Sequence, residues 1–241
     1  MCTVTYIPPS GNSNFILTSN RDEKSQRPTI SPEIHEINAT KLCFPKDALA
    51  GGSWIAAGNN GRLSCLLNGA FEPHKKRSFH TYSRGKVLTD LVASREQVIF
   101  FYSYRDFSNT EPFTIITLEL KDEKIIGFNE FIWDGNKKYL KKLDVDKPYI
   151  WSSVTLYSEE QRNSRNKWFQ QFLLDDGSAL TPEKVMSFHF GRHTTDDSMN
   201  LVMQRTEGLK TVSITQIMRK NEHFSMKYFD LVENLNHIIR L

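Results

Sequence analysis

The sequence predicts an α+β fold in which two antiparallel sheets stack and the helices lie outside them. Short runs of β-branched and aromatic residues recur along all 241 residues, most neighbouring runs are joined by links of hairpin length, and the helical segments come as one helix and later a pair. Links that short join antiparallel strands, because a parallel pair needs a crossover of about a dozen residues or more. About ten strands and three helices in one domain over residues 1–241 is the expectation.

Residues 2–7 and 15–20 form a first hairpin about Pro8-Pro9-Ser10-Gly11-Asn12-Ser13-Asn14. Residues 24–50 carry three prolines and little periodicity, and read as a long surface loop. A second hairpin pairs 54–57 with 63–67 about Asn59-Asn60-Gly61, residue types that tolerate positive φ. From Ser83, a suitable N-cap, Val87, Leu88, Leu91 and Val92 recur at helical spacing. Residues 97–104, 113–120 and 124–132 read as strands, the last two joined by the polar turn Lys121-Asp122-Glu123. Ser158 and Gln161 make a capping box for a helix that buries Trp168, Phe169, Phe172 and Leu173 and stops near Gly177. Thr181 followed by Pro182 starts another helix. Strands at 199–206, 210–218 and 224–230 and a short amphipathic tail complete the chain.

Lys and Arg number 31 against 28 Asp and Glu, a net charge of +3. That lacks the basic excess of a protein that works by neutralising phosphates, so no nucleic-acid partner is expected. Hydrophobic residues at 39% and aromatic residues at 12% are enough for a core. No apolar run approaches the ~20 residues of a transmembrane helix. The opening residues, whose first basic side chain is Arg21, show no secretory signal, and a cytoplasmic protein is expected. Cys2, Cys43 and Cys65 include no CxxC pair, which points to reduced thiols. His189 and His193 are four apart, but Gly191 stands between them with no acidic companion, so no metal site is expected. The run His74-Lys75-Lys76-Arg77 with His80 is a positive patch suited to an anionic ligand or membrane surface but more simply a solvated loop, and Trp133, Tyr139, Trp151 and Tyr157 could line an apolar pocket but read first as core or sheet-edge aromatics.

Cys2 is the sharpest chemical feature. Removal of an initiator Met before so small a residue leaves a Cys with its own α-amine. The amine titrates near ~8 and the thiol near ~8.5, so the amine can take the thiol proton and the thiolate can attack a carbonyl. The position also suits a small apolar residue opening a buried strand. Asn20-Arg21-Asp22-Glu23 ends the second strand, which can lie beside the Cys2 strand and bring the Arg21 guanidinium near the thiol. As a bare tetrapeptide it is also an ordinary charged loop entry. If extension continues through it, Arg21 and Glu23 share one side and Asp22 takes the other; only a turn at Arg21 lets Arg21 and Asp22 both face the thiol.

Met1-Cys2, the tetrapeptide at 20–23, Arg27-Pro28, Gly51-Gly52-Ser53-Trp54, Gly61-Arg62-Leu63 leading to Asn68, and Ser83-Arg84-Gly85 with Asp90 together resemble the NRDE family, which includes the transport and Golgi organisation protein 2 homologues. The resemblance covers about the first 95 residues. That family looks like a relative of the choloylglycine hydrolases and penicillin V acylases, which implies a four-layer αββα sandwich of the N-terminal nucleophile type. On this resemblance Cys2 is the nucleophile, Arg21 its electrostatic partner with Asp22 adjacent, and Asn68 the amide that helps to hold the oxyanion. Asn68 before Gly69 also reads as a plain turn dipeptide. Where the hydrolases carry a second Asn and a late Arg, this chain has Ser153 and Lys210 as the corresponding substrate-binding positions. A hydroxyl reaches less far than a carboxamide, and a lysine lacks the bidentate fork of an arginine. The implied activity is hydrolysis or transfer at a non-peptide amide of a small-molecule acyl substrate through an acyl-Cys2 intermediate, with no cofactor. The alternative is a carrier that binds an apolar or acyl ligand, lipid-like or haem-like, on the same scaffold without turnover.

Overall fold

The computed structural model describes residues 3–10, 15–122, 124–175, 180–220 and 223–241. In chain order its strands are β1 (Thr3–Ile7), β2 (Ile16–Lys24), β3 (Thr29–Ile37), β4 (Thr40–Asp47), β5 (Ile55–Gly58), β6 (Arg62–Asn68), β7 (Phe113–Lys121), β8 (Lys124–Trp133), β9 (Lys138–Lys142), β10 (Tyr149–Ser152), β11 (Leu209–Lys220), β12 (His223–Asp230) and β13 (Leu235–Arg240). The helices are α1 (Arg84–Ala93), α2 (Val98–Tyr104), α3 (Glu159–Asp175) and α4 (Pro182–Phe190). A six-stranded sheet has the order β10-β1-β2-β11-β12-β13, and a seven-stranded sheet runs from β3 to β9 in chain order. Every pairing in both is antiparallel.

Side-chain alternation along the strands builds four layers. Between the sheets, Val4, Tyr6, Leu17, Ile217 and Met226 of the six-stranded sheet meet Cys43, Ile55, Leu63, Cys65, Ile116 and Leu118 of the other. Outside the seven-stranded sheet, Val87, Leu88 and Leu91 of α1 and Phe101 and Tyr102 of α2 cover Leu42, Leu66, Phe113, Ile115 and Phe131. Outside the six-stranded sheet, Phe169 of α3 and Val185 and Phe188 of α4 cover Ile7 and Ile16. Each such fully buried side chain is worth about 1.5–3 kcal/mol over leaving it in water. The result is the expected αββα sandwich. Among the described residues no helix is long and apolar enough to cross a membrane.

The starts of α1, α3 and α4 are the ones the sequence marks, although Ser83 caps α1 by position without a side-chain hydrogen bond. Ser158 N donates to Gln161 Oε1 at 3.1 Å and Gln161 N to Ser158 Oγ at 3.2 Å, closing the capping box. Thr181 accepts from Lys184 N ahead of Pro182. Gly177, Glu123 and residues 11–14 lie outside the described residues.

Three expected elements are corrected. Residues 24–50 are not a loop: β2 runs on to Lys24, and β3 and β4 form a hairpin turned by Asn38 and Ala39, both at positive φ. Pro32 is tolerated because β3 is the edge strand and the register shifts between Ile30 and Glu33 around it. Residues 97–104 form α2 rather than a strand, with Val98, Phe101 and Tyr102 buried at helical spacing. Residues 199–206 form no strand, because the Asn200 carboxamide accepts from His193 N and Thr194 N and folds the chain back on itself. Besides β3 and β4, three strands were not expected from the sequence: β9, whose residues are all exposed, β10, and β13 in the tail.

Candidate functional site

Asn20, Arg21, Asp22 and Glu23 all lie within β2, so extension continues and no turn occurs at Arg21. Arg21 therefore faces the gap between the sheets, while Asn20 and Asp22 face the α3 and α4 layer. The Arg21 guanidinium is 3% exposed and held on three sides: Nη2 donates to Asp47 Oδ2 at 2.8 Å, Nη1 to Thr29 Oγ1 at 2.5 Å, and its Cζ lies 4.2 Å from the Trp54 ring centroid. Burial pulls its pKa down, opposed by Asp47. Asp47 ends β4 and also accepts from Arg27 Nε at 2.7 Å and from the Leu49 and Ala50 amides at 3.1 and 2.9 Å. Burial alone would raise its pKa; the Ala50 amide, Arg27 and Arg21 together hold it below the usual carboxylate range.

On the opposite face Asp22 accepts hydrogen bonds from Tyr157 Oη and Thr211 Oγ1, and Tyr157 lies under the Arg165 guanidinium at 3.6 Å. Asp22 is thus a structural anchor behind the sheet and does not share a pocket with Arg21. Asn20 Nδ2 donates to the Leu201 and His189 carbonyls at 2.8 and 3.3 Å, which leaves its Oδ1 to accept from His189 Nδ1. His189 Nε2 then accepts from Thr5 Oγ1 at 2.7 Å. Burial pushes the His189 pKa down to about 3, and its ring is the neutral Nδ1–H form.

Two pockets open between the sheets near the end of β6. The smaller, about 100 Å³, is lined by Arg21, Arg27, Asp47, Trp54 and Arg84 among others. The larger, about 490 Å³, has walls from Phe71, Ile132, Ile150 and Trp151, with Glu130, Glu159 and Arg162 at its rim. Asn68 lines both. Among the described residues the Asn68 carboxamide has no hydrogen-bond partner, whereas its backbone carbonyl accepts from Ser153 Oγ at 2.8 Å and Thr155 Oγ1 at 3.4 Å. Ser153 therefore fixes the backbone of Asn68 from within the larger pocket's wall. Lys210 pairs with Glu23 in the β2–β11 register and lines neither pocket. Cys2 lies outside the described residues. Cys43 and Cys65 are buried, and burial pushes both thiols up to about 12.

The glycine motifs have a common steric cause. A Cβ on Gly52 would stand 2.3 Å from the carbonyl carbon of Gly85, and one on Gly85 would stand 2.8 Å from Ser53 O. Ser53 N donates to Gly85 O at 3.2 Å across this contact. Two bare backbones thus bring Trp54 and Arg84 into the small pocket, where Arg84 is paired with Glu111 at 2.9 Å. Arg27, Arg84, Trp54 and Asp47 are the site residues that reading the sequence did not assign. The first three sit in quoted motifs, which was the available signal; Asp47 fell in the stretch taken for loop. Of the four aromatics singled out, Trp151 walls the larger pocket, Trp133 is core, Tyr139 is surface and Tyr157 holds Asp22. His74 and Lys76 of the basic loop both approach Glu111.

The sequence model described as Transport and Golgi organisation 2 matches residues 1–220. The chain belongs to the Transport and Golgi organisation 2 family. No curated protein matches the sequence of this family member. Solved structures share its fold: a Caenorhabditis elegans N-acylethanolamine-hydrolyzing acid amidase ortholog has TM-score 0.58 and 14% identity, covering 90% of this chain and 92% of that one. A variant of conjugated bile acid hydrolase from Clostridium perfringens has TM-score 0.57 and 10% identity over 99% and 92%. Penicillin V acylase from Agrobacterium tumefaciens has TM-score 0.55 and 9% identity over 100% and 91%. These neighbours are N-terminal nucleophile hydrolases, and the family member shares their fold. Among the described residues no cluster of His, Cys, Asp and Glu could hold a metal ion.

Proposed function

We propose that the protein cleaves or transfers the acyl group of a small-molecule amide through an acyl-Cys2 intermediate. The observation that carries this reading is the register of β1. Thr3 is paired with Asn20, and Val4 and Tyr6 point between the sheets. Arg21 follows Asn20 along β2 and faces the same gap between the sheets as Val4 and Tyr6. That face borders the pockets that meet at Asn68.

In the cycle, the Cys2 α-amine accepts the thiol proton and the thiolate sulfur bonds to the amide carbon. The Asn68 carboxamide, with no partner among the described residues, donates to the developing oxyanion. The C–N bond then breaks, the amine leaves with the proton, and water cleaves the thioester to release the acid. Arg21 is already paired with Asp47, so it acts on the thiolate as one end of a fixed guanidinium–carboxylate dipole, a weaker pull than a bare cation. The 490 Å³ pocket takes the bulkier half of the substrate.

The test begins with mass spectrometry of untagged protein after a brief iodoacetamide pulse near pH ~6.5, with the high-pKa Cys43 and Cys65 as internal references. Loss of Met1 and selective labelling of Cys2 are expected, together with loss of amide turnover in Cys2→Ala and Asn68→Ala. Turnover by Cys2→Ala at the wild-type rate overturns the assignment. A second reading, a carrier of an acyl or apolar ligand, is favoured by Ser153 being engaged by a backbone carbonyl and by Lys210 standing outside both pockets. Co-purified ligand in a native mass spectrum, without turnover, supports it.

A further inference from the structure

The two sheets end on β10 and β13 in one and on β3 and β9 in the other. An edge strand offers a row of unpaired backbone N–H and C=O groups, and folded chains blunt it with charge, proline, irregularity or shortness. β9 carries Lys138, Lys141 and Lys142, all exposed. β3 carries Pro32, a register shift and the exposed Glu33 and Glu36. β10 is only four residues long, all partly buried, and α3 packs beside it. β13 has none of these devices: it reads Leu-Asn-His-Ile-Ile-Arg, pairs with β12 without a register shift, and its one charged side chain, Arg240, comes last. Leu235 and Ile238 on it are 52% and 67% exposed.

We propose that β13 is the seat of a symmetric dimer, in which a second copy of this chain adds its own β13 antiparallel and the six-stranded sheet continues through both. The occupant follows from self-complementarity. A two-fold axis perpendicular to a sheet makes an edge strand its own antiparallel partner and keeps every side chain on its own face, so residues of like face come opposite one another. Phe229 meets Phe190 of α4 at 5.4 Å between ring centroids. Phe229 and its β13 partner Asn236 therefore face the helical layer, and Ile238 shares that face by the two-residue period. His237 lies on the other face, within hydrogen-bond distance of Ser31 of β3 at 3.1 Å. With the axis at Ile238, this side chain meets its own counterpart, Arg240 meets Asn236, and Leu235 meets Leu241 across the interface. With the axis at His237, pairing would run into Asn234, which stands at positive φ in the turn before β13. The first arrangement covers the most open apolar side chain of this edge and opposes no like charges.

Sedimentation equilibrium of the full chain over a wide concentration range tests this. A reversible monomer–dimer equilibrium is expected. Ile238→Lys, which opposes two charges at the axis, is expected to weaken it about tenfold or more. Ile126→Lys, at a 63% exposed position of β8, is expected to leave it unchanged. Cross-linking reads the same contact without a charge. Ile238→Cys is made in a Cys2→Ala background, because Cys43 and Cys65 are buried and Cys2 could compete. Directly opposed Cα atoms stand about 4.5–5.5 Å apart, within disulfide reach, so mild oxidation is expected to link Ile238→Cys into a dimer and to leave Ile126→Cys unlinked. A monomer at every concentration overturns the proposal, as do assemblies larger than a dimer, which a head-to-tail contact would build. So does Ile238→Lys associating as wild type, or equal cross-linking of the two cysteine variants.

Discussion

Replacing Asp47 by Asn keeps the shape of the side chain and removes its charge, leaving Arg21 buried beside a neutral amide. The pair is closed at 2.8 Å with side chains 3% and 11% exposed. Removing one member of such a buried pair costs about 3–5 kcal/mol. Two effects place Asp47→Asn near the lower end: its remaining oxygen still accepts from the Leu49 and Ala50 amides, and Arg27 at 36% exposure contributes little. A loss of ~3 kcal/mol corresponds to a Tm lower by roughly 6–12 °C for a chain of this size. Urea unfolding of wild type, Asp47→Asn, Arg21→Gln and the double variant measures it, and the cycle should show a coupling of about 0.5–3 kcal/mol. Because Asp47 is held below its ordinary range, its contribution is present above the unfolded pKa of ~3.9 and lost as pH falls through the native value. That acid limb should shrink in Asp47→Asn. A loss under ~1 kcal/mol, or additive single variants, would refute the account of Arg21 as a charge held by Asp47.

Gly52→Ala must push its new Cβ away from backbone atoms 2.3 and 2.5 Å distant. It should cost about 3 kcal/mol in urea unfolding, at the top of the overpacking range, and a cost below ~0.5 kcal/mol would contradict the backbone contact. His189 has a native pKa of about 3 against ~6.5 unfolded, so the unfolded chain takes up a proton first as pH falls. Wild-type stability should therefore fall by up to ~1.4 kcal/mol per pH unit below pH ~6. His189→Gln should remove that slope, and parallel stability curves for the two proteins would show that the ring does not titrate in this way.

The sequence announces those elements whose apolar period and caps agree. In α3, Ser158 and Gln161 close the cap and Phe169 packs inward, so composition and tertiary contact call for the same helix. Residues 97–104 fail because an unbroken apolar run has no visible period until one knows that Ile99, Phe100 and Tyr104 face water. At 199–206, Leu201 and Met203 are buried and Val202 less so, an alternation that imitates a strand in a chain folded by Asn200. The β3–β4 hairpin is disguised by Asn38-Ala39, a positive-φ turn without glycine. At the site, alternation along β2 is legible and separates Arg21 from Asp22. The partner of Arg21 is not, since Asp47 is brought to it by the stacking of two sheets, which local pattern does not encode.

The strand orders also set a timetable for synthesis. The seven-stranded sheet uses residues 29–142 in chain order, so each strand finds its neighbour already made. The strands made first have no such advantage: β1 must wait for β10, and β2, which carries Arg21, pairs with residues 209–218. At about 5–20 residues per second that interval is roughly 10–40 s. Throughout it a nascent chain carries β1 and β2 as an incomplete ribbon beside a nearly finished half of the protein, exposed to whatever in the cell binds unpaired strands.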